Sequence, residues 1–289
     1  MHTSERCLWK CHMKIDAHQH FWKLDTKLYD WPTPGLKPIY RDFLPGDLDM
    51  HLKRHNIKQT IVVQAAESIE ETEFLLDLAD QYEFMGGVVG WIDLSSAEFP
   101  NHFKRLLKWP KFVGIRPMLQ SMANDHWILK PEVKRNIRLL VENDFPLDLL
   151  IYPKHLRHIV ELLKEFPSLR AVIDHCAKPN IKEQQWESWA DWIEEVSKYE
   201  TLMCKLSGLV TEADHQSWEI HEFKPYIHHI IQCFGHERIM FGSDWPVCLL
   251  AADYDDIVQI LHENLPKELT VEEIELLYGG NAKRFYRLP

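Results

Sequence analysis

No apolar run in this chain reaches the 18–20 residues that a single helix needs to cross a bilayer. Basic clusters are missing too. Lys and Arg number 33 against 44 Asp and Glu, a formal charge of −11, so the positive patch that nucleic acid requires is absent. The six cysteines, Cys7, Cys11, Cys176, Cys204, Cys233 and Cys248, form no C-x-x-C pair, and a chain of 289 residues needs no disulfide stapling. The opening stretch MHTSERCLWKCH is polar and lacks the apolar core of a secretory signal. A reducing, cytoplasmic location is therefore the expectation, with no nucleic-acid or membrane partner. A homo-oligomer is compatible with the sequence. Neither G-x-G-x-x-G nor a Walker loop occurs, which argues against a nucleotide-binding open sheet. No linker, repeat or low-complexity tract marks a second domain.

What is present is a regular alternation. Apolar residues make up 45% of the chain, enough for a substantial core. Eight short, mostly β-branched runs recur: MKIDAHQH (13–20), TIVVQAA (60–66), MGGVVGWID (85–93), FVGIRPML (112–119), PLDLLIYP (146–153), RAVIDHCAKP (170–179), TLMCKLSGL (201–209) and RIMFGSDWP (238–246). Amphipathic stretches separate several of them, such as 69–82 with Phe74, Leu75 and Leu78 at helical spacing, 155–166 and 226–234. Strand and helix in alternation predict parallel β/α units. Eight of them in under 300 residues predict an α/β fold, a single (β/α)8 TIM barrel over 13–289. Residues 1–12 have no structural pattern and read as an N-terminal extension. Its Cys7, Cys11 and His12 fall short of the four ligands of a closed zinc site. The Pro/Trp-rich piece 28–45 reads as a long ordered loop after the first strand.

In such a barrel chemistry collects where the strands end, and each run here finishes in residues able to do it. His18 and His20 close the first run. They stand two residues apart, so on a strand they point the same way and can share a metal ion or a polar substrate; surface histidines are the plainer alternative. Gln64 and Glu67 follow the second run, Trp91 and Asp93 the third, Arg116 the fourth, and Tyr152 and His155 the fifth. Asp174 and His175 follow the sixth, Lys205 and Ser207 the seventh, and Asp244 the eighth. Buried without partners, such groups would cost about 1–3 kcal/mol each. Asp174 and His175 are neighbours and would face opposite ways on a regular strand, so Asp174 is assigned a structural role; Asp148, mid-strand, likewise. Lys205 reads equally as a salt-bridge partner. Trp186, Trp189 and Trp192 fall at helical spacing and read as packing. Asp244, in the turn GSDWP, is the hardest to explain structurally.

These motifs resemble the amidohydrolase superfamily: His-x-His after the first strand, a histidine after the sixth and an aspartate after the eighth. The strings IDAHQHFW, YDWPTP, RDFLP, VVQAA, ETEFLLDLA, GVVGWIDL, GIRPMLQ, VIDHCAKP, CKLSGLVTEA, MFGSDWPVCLLAA and GGNAKRFY are similar, in order, to its sugar-lactone hydrolase branch, the group of the L-fuconolactonases and L-rhamnonolactonases. The resemblance implies a (β/α)8 barrel that hydrolyses an aldonolactone to the open sugar acid. It implies a polar centre of His18, His20, His175 and Asp244, with Gln64 and Arg116 touching substrate. Trp31, Trp91, Tyr152 and His155 are further candidates for substrate contact, and Trp22, Trp31 and Trp91 offer flat faces to a sugar ring. Many amidohydrolases bridge two metals with a carboxylated lysine after the fourth strand; GIRPML has none there, which argues against a bridged pair.

The chemistry then has two expected forms. Asp244, ionised at neutral pH, takes the proton from water. One divalent cation, zinc by its donor set, is held by His18, His20, His175 and Asp244; or no metal is used, and protonated histidines with Arg116 stabilise the oxyanion. The rival readings are a pyrone-dicarboxylate lactonase or metal-dependent decarboxylase of a related branch, which would call for several arginines at the strand ends, and a non-catalytic sugar-binding barrel, which would have lost one of the four central residues. Arg41, in the first long loop, is the one further arginine to place.

Overall fold

The computed structural model describes residues 13–24 and 28–289; the extension expected over 1–12, with Cys7, Cys11 and His12, lies outside them. All eight strands form: β1 Lys14–Gln19, β2 Ile57–Val63, β3 Met85–Gly90, β4 Phe112–Ile115, β5 Leu147–Leu149, β6 Ala171–Ile173, β7 Leu202–Leu206 and β8 Ile239–Phe241. Each pairs in parallel with the next, and β8 returns to β1. There the Asp244 N–H donates to His18 O at 2.8 Å and the His20 N–H to Trp245 O at 2.7 Å. The strands are shorter than the apolar runs because each run also contains the first residues of the loop above it. Helices α1 to α8 follow their strands in turn: Pro45–His55, Ile69–Gln81, Phe99–Leu106, Pro131–Glu142, Leu156–Glu165, Glu187–Ser197, Lys224–Phe234 and Tyr254–Asn264; α9 Val271–Glu275 and α10 Asn281–Tyr286 end the chain. This is the expected (β/α)8 barrel. No helix of the described residues is long and apolar enough to cross a membrane.

Two cores hold it. The larger lies between strands and helices and contains Trp189, as expected of the tryptophan helix, together with Trp22 and Trp245. The smaller fills the barrel interior, where Ile15, Ala17, Val63, Val172, Met203 and Met240 meet Phe285, Tyr286 and Leu288 from the C-terminal end of the chain. Side chains two apart on a strand share a face, so each strand that starts apolar inside can become polar two residues later. Val172 is followed by Asp174, and Met203 by Lys205. The interior thus changes from an apolar floor to a polar upper layer.

The first strand breaks this rule where it matters. Ile15 and Ala17 belong to the interior cluster, and strict alternation would turn His18 away from it. Between Asp16 and Gln19, however, β1 advances three residues while β2 advances two, from Thr60 to Val62. This bulge re-aims the strand, and His18 and His20 both point inward.

Candidate active site

The three imidazoles and the carboxylate converge at the C-terminal mouth. His20 Nε2 lies 3.3 Å from Asp244 Oδ1, and His18 Nε2 and His175 Nε2 each lie 3.8 Å from the same oxygen. His18 Nε2 and His20 Nε2 are 3.2 Å apart. All four residues are buried.

Each is held locally. Asp244 sits in the left-handed region at φ 57°, a conformation that Asp tolerates better than most residues. Its turn is tied down by Asp16, which accepts from the Ser243 N–H at 2.8 Å and the Tyr254 hydroxyl at 2.9 Å. Burial pushes the Asp16 carboxyl up to about 6, although these donors pull the other way. Gly242 is needed beside it, because a Cβ there would lie 2.7 Å from His18 Cβ. His20 Nδ1 lies 2.8 Å from Val63 O. A carbonyl only accepts, so Nδ1 carries the proton and Nε2 presents its lone pair to the centre.

His175 corrects a sequence expectation. Asp174 and His175 do not alternate on a strand, because β6 ends at Ile173 and the chain enters a left-handed turn. His175, Cys176, Ala177 and Lys178 have φ of 53°, 53°, 59° and 54°. Such backbone costs an L-residue about 1–2 kcal/mol, and neighbours hold it in place. The Lys178 N–H donates to His175 O at 2.7 Å, Trp189 Nε1–H to Cys176 O at 2.7 Å and Cys176 Sγ to Lys205 O at 3.3 Å. His175 Nδ1 meets Ser207 Oγ at 2.9 Å. Asp174 and His175 consequently serve the same centre.

Beneath it runs a fully buried charged column. Lys205 Nζ lies 2.5 Å from Asp148 Oδ2, 3.0 Å from Asp174 Oδ1 and 3.2 Å from His18 Nδ1. The Tyr286 hydroxyl donates to Asp148 Oδ2 at 2.7 Å. Lys205 is thus a salt-bridge partner, as one reading had it, but one aimed at a site histidine. Burial raises the Asp174 carboxyl, yet Lys205 and His18 outweigh it and hold the pKa well below the usual range. At Asp244 burial is likewise outweighed, here by His175 and His20, and the carboxyl is lowered. Burial drives His18 and His175 well below the ordinary histidine value. Burial thus disfavours the charged form of these two imidazoles, beside a carboxyl whose ionised form is favoured.

That donor set fits a cation. Two facing Nε2 atoms can share only one proton, and at the far side His18 Nδ1 lies 3.3 Å from Asp174 Oδ1 and 3.2 Å from the Lys205 ammonium. Zinc–nitrogen bonds of about 2.0–2.1 Å give tetrahedral edges of about 3.4 Å, within the 3.2–3.8 Å separations found here. His18, His20 and Asp244 form one group of ligand atoms of suitable spacing. Arg116 directly follows β4.

Above the centre opens a cavity of about 390 Å³, within the usual range for small-molecule sites. His20, His175, Asp244, Arg116 and Trp31 line it. Arg116 Nη1 lies 3.5 Å from Asp174 Oδ2, and Nη2 donates to Gln64 O.

The other candidates stand elsewhere. Gln64 is fully buried and its amide donates to Arg116 O at 2.9 Å, so it braces the arginine. His155 is engaged locally, its Nδ1 accepting from the Tyr152 N–H at 2.9 Å and its Nε2 lying 3.3 Å from Asp125. Tyr152 is largely turned outward. Trp91 is not among the residues that line the cavity, and its backbone N–H donates to Thr72 Oγ1 at 2.8 Å. Trp22 offers no face to a sugar: it is fully buried, with Nε1–H on Arg41 O at 2.7 Å. Arg41 itself is exposed and pairs with Asp47.

Sequence reasoning missed Asp16, Lys178 and Glu212. Asp16 carried a signal, a carboxylate in the middle of an apolar strand. Lys178 and Glu212 carried none of comparable strength.

Comparison with known proteins agrees with this geometry. Residues 15–288 match the model of a family described as amidohydrolase. An L-fucono-1,5-lactonase of Burkholderia ambifaria is 39% identical over 278 residues, which cover 95% of this chain and 96% of that protein. A second L-fucono-1,5-lactonase, of Burkholderia multivorans, is 34% identical, covering 96% and 97%. A crystal structure of a Burkholderia multivorans amidohydrolase with bound zinc superposes with a TM-score of 0.90 at 33% identity, covering 96% of this chain and all of that one.

Proposed function

The chain belongs to the amidohydrolase family, and from that premise we propose that it is a hydrolase that opens a sugar lactone to the sugar acid, acting in the cytoplasm. The observation that carries the proposal is the convergence of three imidazoles on Asp244 Oδ1 at the floor of a small-molecule cavity. Lactonase relatives aligned over nearly the whole chain support the same substrate class.

A lactone is an ester, and its opening needs a proton removed from water, charge stabilised on the carbonyl oxygen and a proton for the ring oxygen. Asp244 is ionised at neutral pH, which suits it to accept the water's proton as oxygen adds to the carbonyl carbon. A carboxyl of lowered pKa is, however, a weak base. One divalent cation, with zinc as the choice from the bound relative, would be held by His18, His20, His175 and Asp244, and supplies Lewis acidity when bound. Arg116 directs N–H donors toward the oxygen that gains charge. When the ring C–O bond breaks, Asp244 returns its proton to the ring oxygen, and the new carboxylic acid ionises. A doubly charged pyrone substrate or a decarboxylation finds less support, since Arg116 is the one arginine lining the mouth among the described residues.

The test is turnover of an aldonolactone by Asp244→Asn. The expected loss is about 10²–10⁴-fold in kcat, the usual worth of a general base, with the thermal midpoint retained. Near-normal rates rule Asp244 out. Elemental analysis of purified protein is expected to find about one divalent ion per chain, lost in a His18→Ala/His20→Ala variant; full activity of verified metal-free protein would remove the cation from the proposal.

A further inference from the structure

The left-handed turn that delivers His175 also delivers a second group to the same cavity. Three residues on, a turn this tight returns to the same face, and Lys178 lines the mouth with His175. Its Nζ lies 3.3 Å from Glu212 Oε1. Glu212 comes from the loop above β7 and lines the mouth as well. The two side chains are only 16% and 18% exposed. The Tyr152 ring lies beside the ammonium, its centre 5.8 Å from Nζ. The partnership leaves each member incomplete, because an ammonium has three N–H donors and a carboxylate about four acceptor sites. The pair therefore presents a donor beside an acceptor, facing the reacting centre. Lys178 is near enough that its charge lowers the Asp244 carboxyl. Met118, Leu150, Val247 and Leu250 form an apolar part of the wall.

Adjacent ring hydroxyls have the complementary form, since each can donate and accept. We propose that Lys178 and Glu212 together read two neighbouring hydroxyls of the lactone ring, and so fix the ring orientation that sets its carbonyl carbon over Asp244. This rests on the lactonase reading above and makes the pair a specificity determinant. Lys178 gives an N–H to one hydroxyl oxygen while Glu212 accepts the O–H of the next. The alternative is a rivet between the loops above β6 and β7, with no part in binding. The two differ in what they change, since a rivet affects stability and a reader affects KM.

The experiment measures kcat and KM on an aldonolactone for Lys178→Met, Glu212→Gln and Lys178→Arg. In parallel, calorimetry titrates the same proteins with a 1,5-anhydroalditol, which keeps the ring hydroxyls and has no carbonyl to attack. Lys178→Met and Glu212→Gln are expected to raise KM about 10–100-fold, the usual effect of losing a charged hydrogen bond, with kcat within about threefold. They weaken the anhydroalditol by the same factor, while Lys178→Arg keeps most of the affinity. An unchanged KM overturns the inference, as does a fall in kcat at constant KM, or wild-type protein that does not take up the anhydroalditol. Wild-type protein that opens no aldonolactone sinks the proposed function instead; the calorimetry still decides the pair.

Discussion

At the scale of single residues, the site is governed by what happens to charge out of water. Lys205 shows this most clearly. It is fully buried, and its ammonium is tolerable only because Asp148 and Asp174 lie within 3.0 Å. Lys205→Met would leave two buried carboxylates with only Arg116, 3.5 Å from Asp174 Oδ2, to offset their charge. The expected cost is about 3–5 kcal/mol, as for breaking other buried ion pairs, read as a fall in the denaturant midpoint. Replacing Asp148 by Asn in the same protein removes one of the stranded charges and should recover part of the loss. If Lys205→Met is as stable as wild type, the column is not under electrostatic load. The sequence offered Lys205 as a choice between two roles; its side chain fills both, and only coordinates could join them.

Elements account for both what could be read beforehand and what could not. Runs such as TIVV and MGGVV are strands in almost any setting, because β-branched residues suit a half-buried pleat, and the alternation of runs with amphipathic stretches leaves few topologies. Strand-end chemistry was legible for the same reason, since His18, Arg116, His175 and Asp244 each stand within three residues of an apolar run. The turn at 175–178 was not. Cys, Ala and Lys have no preference for positive φ, so nothing local announces it; it is imposed by Trp189, Lys205 and Ser207, distant in sequence. The bulge in β1 is equally silent, being a property of the pairing with β2. Gly208 gives the turn its room. It has φ +61°, and a Cβ there would lie 2.5 Å from His175 Nδ1. Gly208→Ala is expected to destabilise the fold by about 1–3 kcal/mol and to reduce kcat at least about tenfold by displacing His175. A fully active alanine variant would mean that His175 need not hold this position.

For the molecule as a whole, stability should carry a pH signature from a group outside the candidate site. Glu71 is fully buried at the start of α2 and accepts the N–H groups of Ala65 and Ala66 at 2.9 and 3.0 Å. Burial outweighs those donors and lifts its carboxyl from 4.5 to about 7. Between these values the folded state holds a proton that the unfolded chain has lost. Stability from this group is therefore fully present below about pH 4.5 and declines as pH rises to about 7, by about 3 kcal/mol in all. Denaturant midpoints at pH 5 and pH 8 should differ by less in Glu71→Gln than in wild type; equal differences would show that Glu71 does not take up the proton. The barrel floor has a consequence of another kind. Phe285, Tyr286 and Leu288 close the interior, and Tyr286 completes the chain of contacts that reaches His18 through Asp148 and Lys205. Synthesis runs from the other end. A nascent polypeptide can have every strand in the open and yet lack its keystone while residues 285–288 are still threaded through the ribosomal tunnel, so catalytic competence should arrive as a single late event, once they emerge.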